Sequence, residues 1–297
     1  MNRVMRKITS WLVSFCLIAT CLPVGAFASS ETFVDMPSED HWAYAALSSA
    51  ISNGILNGDE SGHLNPNGLA TRAQVAAIIN RVFGAQVQAD ISYFSDVDSS
   101  RWYYADMAKA VQMQTFVGDG RTLDPDSYIT REQTFTVFAR ALRLESADNS
   151  VLAKFNDCPS VSLWATESLS AMVEKGYVNG NNGFINPKDN ITRAEIAQLI
   201  YNVFQQYIFK AGAYTSVANG NVIVNTPDVV LKDCTVTGDL IIADGVGNGD
   251  ITLDNVVVEG RMIVRGGGDH SIRITNGSNV GSIILSKTSS GGLRVLA

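Results

Sequence analysis

Three arginines of this chain stand in one setting: Arg72 in Ala70-Thr-Arg-Ala-Gln74, Arg131 in Ile129-Thr-Arg-Glu-Gln133 and Arg193 in Ile191-Thr-Arg-Ala-Glu195. A threonine followed three residues later by Glu or Gln is a capping box, in which the two side chains satisfy backbone N–H groups at a helix start. Helix formation alone therefore accounts for Thr71, Thr130 and Thr192 and for Gln74, Gln133 and Glu195. It does not account for arginine at the first helical position, where the positive end of the helix dipole costs a cation about 0.3–1 kcal/mol. A guanidinium beside free N–H groups makes an anion site, above all for a carboxylate, which it grips with two parallel hydrogen bonds. An arginine that stacks on a neighbouring Trp, or pairs with an aspartate of its own repeat, would leave the same pattern. Spacing does not separate these readings.

The elements that must position the arginines recur with one period. Phe33, Phe94 and Phe155 are 61 and 61 residues apart; Trp42, Trp102 and Trp164 are 60 and 62 apart; Pro66, Pro125 and Pro187, like the Thr-Arg pairs, are 59 and 62 apart. Each unit opens with Phe-x-Asp, ending at Asp35, Asp96 or Asp157. A first helix is expected near the Trp, then a turn rich in Gly and Asn that suits positive φ and ends at the Pro. After Thr-Arg a second helix is expected. Val75, Ile78, Ile79, Val82 and Phe83 keep the spacing of one buried stripe, as do Ile196, Leu199, Ile200, Val203 and Phe204, and more loosely Phe135, Phe138, Ala139 and Leu142.

On the Phe-x-Asp opening, the Trp, the Gly-rich turn with its Pro and the Thr-Arg-Ala-Glu motif, the span from about Glu31 to Gln205 resembles the S-layer homology domain family. The resemblance implies three tandem units forming a mainly helical pseudo-trimer around a central bundle. It further implies grooves between units that bind secondary cell-wall polysaccharide, typically through a pyruvyl ketal on N-acetylmannosamine. Carried over to this sequence, Arg72, Arg131 and Arg193 would grip the pyruvyl carboxylate and Trp42, Trp102 and Trp164 would offer apolar walls. Asp35, Asp96 and Asp157 would accept hydrogen bonds from sugar or backbone, and Gly58, Gly118 and Gly180 would let the backbone approach. Tryptophans that close the core would look the same in sequence. The groove using Arg131 departs most from the pattern: Glu132 beside it is placed to compete for the guanidinium, and Gln114 stands where the other units have Gly54 and Gly176.

Beyond Tyr207 the composition shifts to short β-rich runs with a shorter period. Leu231, Leu253 and Ile274 are 22 and 21 apart, as are Asp233, Asn255 and Asn276, Gly238, Gly260 and Gly281, and Leu240, Met262 and Ile283. Short strands with Asn or Asp at one corner and Gly at the next predict a parallel β-solenoid of three clear coils, with Ile251 and Leu253 inward around Thr252, and Ile272 and Ile274 inward around Arg273. An enzyme in this segment would need acidic ligands close to a basic residue on one face. Asp244, Asp250, Asp254, Asp269, Arg261, Arg265 and His270 are the polar candidates, and they read as surface charge on strands and turns, with no His-Cys metal spacing and too few coils for a long sugar groove. The final coil, ending at Ala297, reads as an exposed strand edge that needs a cap or a stacking partner.

The remaining features bound the class. A basic "MNRVMRK", an apolar run Trp11 to Val24 and "GAFA" predict a secretory signal cleaved near Ala28. No other run approaches the length of a membrane span. Loss of the signal removes three cations and takes the formal charge from -7 to -10, which argues against nucleic acid as a partner. The two remaining cysteines, Cys158 and Cys234, read as separate buried thiols. The expected protein is thus an α+β multidomain chain: signal 1–28, repeats at 29–86, 90–147 and 151–206, and a small parallel β-helix or solenoid at 207–297. It is expected to be exported, non-catalytic and without metal or cofactor, anchored to wall polysaccharide at the cell surface and displaying the solenoid. The competing expectation is an anchored carbohydrate-active enzyme, and a third is assembly by solenoid stacking.

Overall fold

A computed structural model describes residues 33–146 and 148–297; the expected signal segment and its cleavage site lie outside the described residues. Six helices come first: α1 (Tyr44–Ser52), α2 (Arg72–Phe83), α3 (Tyr104–Gln112), α4 (Arg131–Ala141), α5 (Thr166–Glu174) and α6 (Arg193–Val203). Each repeat supplies a pair, and the pairs interlock in a cycle. α2 packs on α3 of the next repeat, α4 on α5, and α6 closes the ring on α1. The apolar stripes expected on the second helices are all buried, and they are wider than predicted because Ala73, Ala76 and Ala77 are buried too. A helix at the centre of a bundle meets neighbours on more than one face.

The second helices begin on the pseudo-threefold axis. There Ala70 N–H donates to the Ile191 carbonyl, Ile191 N–H to the Ile129 carbonyl and Ile129 N–H to the Ala70 carbonyl, each at 3.0 Å, a closed ring of three backbone hydrogen bonds. All three residues are fully buried. The variable residue before each Thr-Arg pair is therefore a core position, which is why only Ala and Ile occupy it.

The chain then enters eleven strands: β1 (Gln206–Ile208), β2 (Gly212–Tyr214), β3 (Val222–Val224), β4 (Val229–Lys232), β5 (Thr235–Val236), β6 (Leu240–Ile242), β7 (Ile251–Asp254), β8 (Val257–Val264), β9 (Ile272–Thr275), β10 (Asn279–Leu285) and β11 (Val295–Leu296). They form two parallel sheets, in the orders β1-β3-β6-β8-β10 and β2-β4-β7-β9-β11, with β5 pairing β8. The 22- and 21-residue periods are the register itself: Leu231 pairs with Leu253 and Leu253 with Ile274, while Leu240 pairs with Met262 and Met262 with Ile283. Asp233, Asn255 and Asn276 all hold positive φ at the corner, and Asn255 Nδ2 donates to Asp233 Oδ1 at 2.7 Å. The solenoid is longer than the three coils expected, because β1 and β2 begin winding directly after α6.

Helices and solenoid form one compact unit from Phe33 to Ala297. The central strands of the first sheet, β3, β6 and the end of β8, are buried on both faces. Val222, Val224, Leu240, Ile242, Met262 and Val264 fill the solenoid interior, while the residues between them, Ile223, Ile241 and Ile263, join the core of the helical bundle. Polar side chains complete the joint at the C-terminal ends of the second helices. Asn225 donates to the Val82 carbonyl of α2 (3.2 Å), Asn221 to the Val203 carbonyl of α6 (2.7 Å), and Arg265 to the Ala141 carbonyl of α4 (3.3 Å). Arg265, Arg261 and Asp244 are therefore not surface charges. Arg265 is fully buried over the Phe83 ring and pairs with Asp244 at 2.6 Å, and Arg261 pairs with Asp239 while donating to the Arg143 carbonyl. Cys158 and Cys234 are free thiols, each half-buried.

Two outcomes follow from this shared core. Urea unfolding should give one transition whether helix or strand signal is followed; two separated transitions would show that the parts fold independently. Asp244→Ala leaves the Arg265 cation buried without its carboxylate, a loss of about 3–5 kcal/mol, read as a lowered urea midpoint.

Candidate functional site

All three capping boxes form. Thr71, Thr130 and Thr192 accept from the backbone N–H of Gln74, Gln133 and Glu195, whose side chains accept in return from the threonine N–H. The next two N–H groups of each helix are also taken. Arg72 and Ala73 donate to the Ser127 and Pro125 carbonyls, Arg131 and Glu132 to those of Asp189 and Pro187, and Arg193 and Ala194 to those of Gly68 and Pro66. Each helix start thus rests on the loop of another repeat. The expectation of free N–H groups beside the guanidinium is corrected: any anion there would depend on the arginine side chain.

That side chain is aimed by a carbonyl of the same loop. Arg72 Nε donates to Leu123 O (2.7 Å), Arg131 Nε to Ile185 O (2.9 Å) and Arg193 Nε to Leu64 O (2.7 Å). The Phe-x-Asp aspartates fix those loops from behind. Asp35 accepts from the N–H groups of Leu64 and Asn65, Asp96 from Leu123 and Asp124, and Asp157 from Ile185 and Asn186. Of the two kinds of donor expected for these carboxylates, the structure supplies backbone. Burial raises the Asp35 pKa, but the Leu64 and Asn65 N–H groups outweigh it and hold the carboxyl below its ordinary value. Two of the three arginines stack on phenylalanine, not tryptophan: Arg72 lies over Phe116 and Arg131 over Phe135, with centroid distances of 5.4 and 5.3 Å.

The tryptophans do not close the core. Trp42, Trp102 and Trp164 are 57%, 60% and 54% exposed. Trp42 lines a cleft of about 450 Å³ with Arg131, Phe135, Tyr177 and Gly180. Trp164 lines one of about 380 Å³ with Arg72, Phe116, Gly118 and Arg140. Each cleft therefore takes an arginine from one repeat, the Gly-rich turn from the next and a tryptophan from the third. Arg193 reaches the turn that carries Gly58, where its Nη2 also donates to the Asn57 carbonyl at 2.7 Å. The glycines have a packing reason: a Cβ on Gly58 or Gly180 would meet the ring of Phe33 or Phe155, and Gly180 also holds φ +68°.

The expected competitor of Arg131 is a different residue. Glu132 is buried and accepts from Ser162 N–H (3.0 Å), Ser162 Oγ (2.9 Å) and Lys188 Nζ (2.6 Å), away from the guanidinium. It is Glu195, from the capping box of the next repeat, that pairs with Arg131 Nη1. Gln114 adopts φ +62°, matching the +65° and +72° of Gly54 and Gly176, so the turn is kept with a residue less suited to it. Sequence reading also missed Arg140 and Arg81, nine residues after Arg131 and Arg72. The repeat period marks that position, with Asn202 as its third member.

Comparison with known proteins fits this geometry. The family model described as "S-layer homology domain" matches residues 32–76, 93–135 and 154–197. The chain is 32% identical over 185 residues to an amylopullulanase of Thermoanaerobacterium thermosulfurigenes, covering 61% of this chain and 10% of that protein. It is 30% identical over 194 residues to the exoglucanase XynX of Acetivibrio thermocellus, covering 64% and 18%. With the surface-layer 125 kDa protein of Lysinibacillus sphaericus it shares 29% over 237 residues, 77% of this chain and 19% of the relative. The match thus spans under a fifth of each of these relatives.

The depressed Asp35 pKa fixes the sign of one pH effect. The stability this carboxylate contributes is complete above its ordinary value of 3.8 and is lost as pH falls through the lowered folded value. Asp35→Ala should therefore be less stable than the parent at neutral pH, with the gap in urea midpoint closing in acid. Other depressed carboxylates, such as Asp59 and Asp119, shift both proteins alike. A gap that persists unchanged in acid would mean that the Asp35 charge is not what holds the loop.

Proposed function

Because residues 32–197 are three tandem S-layer homology domains, a family that places proteins at the cell surface, we propose that this chain is a non-catalytic wall anchor that grips pyruvylated secondary cell-wall polysaccharide and carries the solenoid rigidly on the anchor. The observation that carries this reading is the cleft itself. A guanidinium held by Nε alone in the Arg72 cleft leaves its terminal N–H groups for a ligand, and a half-exposed tryptophan supplies a flat wall on which a sugar ring can stack. Among the described residues no helix is long and apolar enough to cross a membrane, and a polysaccharide grip offers retention at the surface without one.

A structural role for the solenoid is favoured over a catalytic one by the use its charges are put to. Arg261, Arg265, Asp239 and Asp244 are engaged in pairs that join the solenoid to the helices, and Arg273 pairs with Asp250. The relatives named as enzymes match over a small share of their own length, as expected if the common part is the anchor.

The test is sedimentation of the purified exported chain with bacterial wall sacculi, before and after chemical removal of pyruvate. Binding should require pyruvate, and changing Arg72, Arg131 and Arg193 together to Ala should abolish it, since each charge-assisted contact is worth about 1.5–3 kcal/mol. A folded triple variant that sediments like the parent would make these arginines purely structural and end the reading.

A further inference from the structure

A further cleft, of about 340 Å³, holds no arginine. It opens where α1, α6 and β1 meet, and its walls come from Ser49 and Asn53 of α1, Tyr201 of α6, and the run from Phe204 to Tyr207 that leads α6 into the solenoid. None of these side chains carries a charge at neutral pH. Comparison with the pseudo-equivalent helix pairs shows what is special here. Tyr201 stands eight residues after Arg193, as Asn80 does after Arg72 and Ala139 after Arg131. Asn80 is buried and donates to the Asp106 carbonyl of α3 at 2.8 Å, and Ala139 is buried too, whereas Tyr201 is 44% exposed. Lys109 of α3 matches Ser49, and Lys175 after α5 matches Asn53, so each of the other pairs has a lysine at one of these two positions and this pair has none.

The walls are held by bonds that leave polar groups over. Gln205 is fully engaged: its Oε1 accepts from Asn221 N–H at 2.8 Å and its Nε2 donates to the Asn202 carbonyl at 3.2 Å. Asn53 uses only Nδ2, on the Ser49 carbonyl at 2.8 Å, and Gln206 only Oε1, which accepts from Ala218 N–H at 2.6 Å. That leaves an acceptor, Asn53 Oδ1, and a donor, Gln206 Nε2. The hydroxyls of Ser49, Tyr201 and Tyr207, each able to do both, have no protein partner among the described residues. Tyr207 is the most telling of them. Its ring is wedged between Phe204 and Phe209, with centroids 5.8 and 5.6 Å away, and burial alone pushes the phenol above its ordinary pKa, with no hydrogen bond contributing. A desolvated hydroxyl at the edge of a cleft is short of a partner.

We propose that this cleft binds an uncharged pyranose unit of a glycan, a site separate from the arginine clefts and not dependent on the wall-anchor reading. Its volume falls within the range of small-ligand sites, about 300–1,000 Å³. An ion entering it would lose hydration and meet no counter-charge. A hydrocarbon would leave the five polar groups unpaired. A neutral sugar has hydroxyls around its rim, each a donor and an acceptor, and C–H bonds on its faces. The rim matches the mixed set of hydroxyl and amide groups, and the half-exposed ring of Tyr201 gives a face something to lie on. Position adds a consequence: the cleft sits on the joint between helices and solenoid, so a glycan held there touches both.

Ligand-observed NMR titration of the purified chain with the methyl glycosides of glucose, N-acetylglucosamine and N-acetylmannosamine tests this. At least one should bind, and the variant with Arg72, Arg131 and Arg193 changed to Ala should bind it as the parent does. Tyr201→Ala should weaken binding about tenfold, and Asn53→Lys should abolish it by filling the cleft. Asn53→Lys should fold, because Lys175 already holds the matching place with nearly the same backbone, φ -73° and ψ -5° against -93° and 7°. No binding of any of the three glycosides would overturn the proposal, as would binding that survives Asn53→Lys and disappears with the arginines; sacculus sedimentation, which tests the anchor, would be untouched by either result. Polysaccharide released from sacculi, titrated into the triple arginine variant, separates the sources. Binding that Asn53→Lys removes makes the wall polymer the occupant, and glycoside binding without polysaccharide binding gives the cleft to a separate neutral glycan.

Discussion

A helix buried at both ends leaves backbone N–H and C=O groups that something must satisfy, and in this protein that requirement organises everything else. The three second helices start on the axis and end against the solenoid. At their starts the first two N–H groups are taken by loop carbonyls of another repeat and the third by a threonine. At their ends, side chains of Asn225, Arg265 and Asn221 reach the last carbonyls. A single repeat can satisfy neither end by itself. Closure of the cycle is what makes each unit stable, and it is why the three arrive together.

The clefts are a by-product of that closure. A loop that must present carbonyls to another repeat's helix start has its own N–H groups turned back to the Phe-x-Asp carboxylate, and one further carbonyl left to orient an arginine. Position in the helix explains why that arginine is tolerated: the unfavourable dipole is offset by a carbonyl at 2.7–2.9 Å from Nε and, for Arg72 and Arg131, by an aromatic ring beneath the guanidinium. Structural and ligand-binding readings of the motif are therefore not rivals. Nε does the first job and the terminal nitrogens are left for the second, except where Glu195 has claimed one of Arg131 and the Asn57 carbonyl one of Arg193.

Much of this was legible in the residues because periodicity reports directly on stacking. The 22- and 21-residue spacings became the strand register, and the threonine boxes became caps. What was not legible depended on partners distant in sequence. A run such as Leu240-Ile241-Ile242 suits a strand buried on both faces, yet nothing in it says that Ile241 meets helices. Arg265 looked like surface charge because the Phe83 ring and the Ala141 carbonyl that receive it lie far away along the chain. The pairing of Arg131 with Glu195 was missed for the same reason: the adjacent residue, Glu132, was the visible candidate, and the cyclic packing that brings the next repeat's box into the cleft is a property of the closed ring.

The seating of the solenoid breaks the threefold symmetry in a definite way. Three pseudo-equivalent helix ends receive three different side chains, an asparagine on α2, an arginine on α4 and an asparagine on α6, spaced along a sheet that has no rotational symmetry of its own. Only one of the three rotational settings brings the cation to the end of α4, where the Ala141 carbonyl and the Phe83 ring complete its pocket. The joint therefore fixes azimuth as well as tilt. Whatever fixes the orientation of the helical ring therefore fixes the direction in which the solenoid points around the axis.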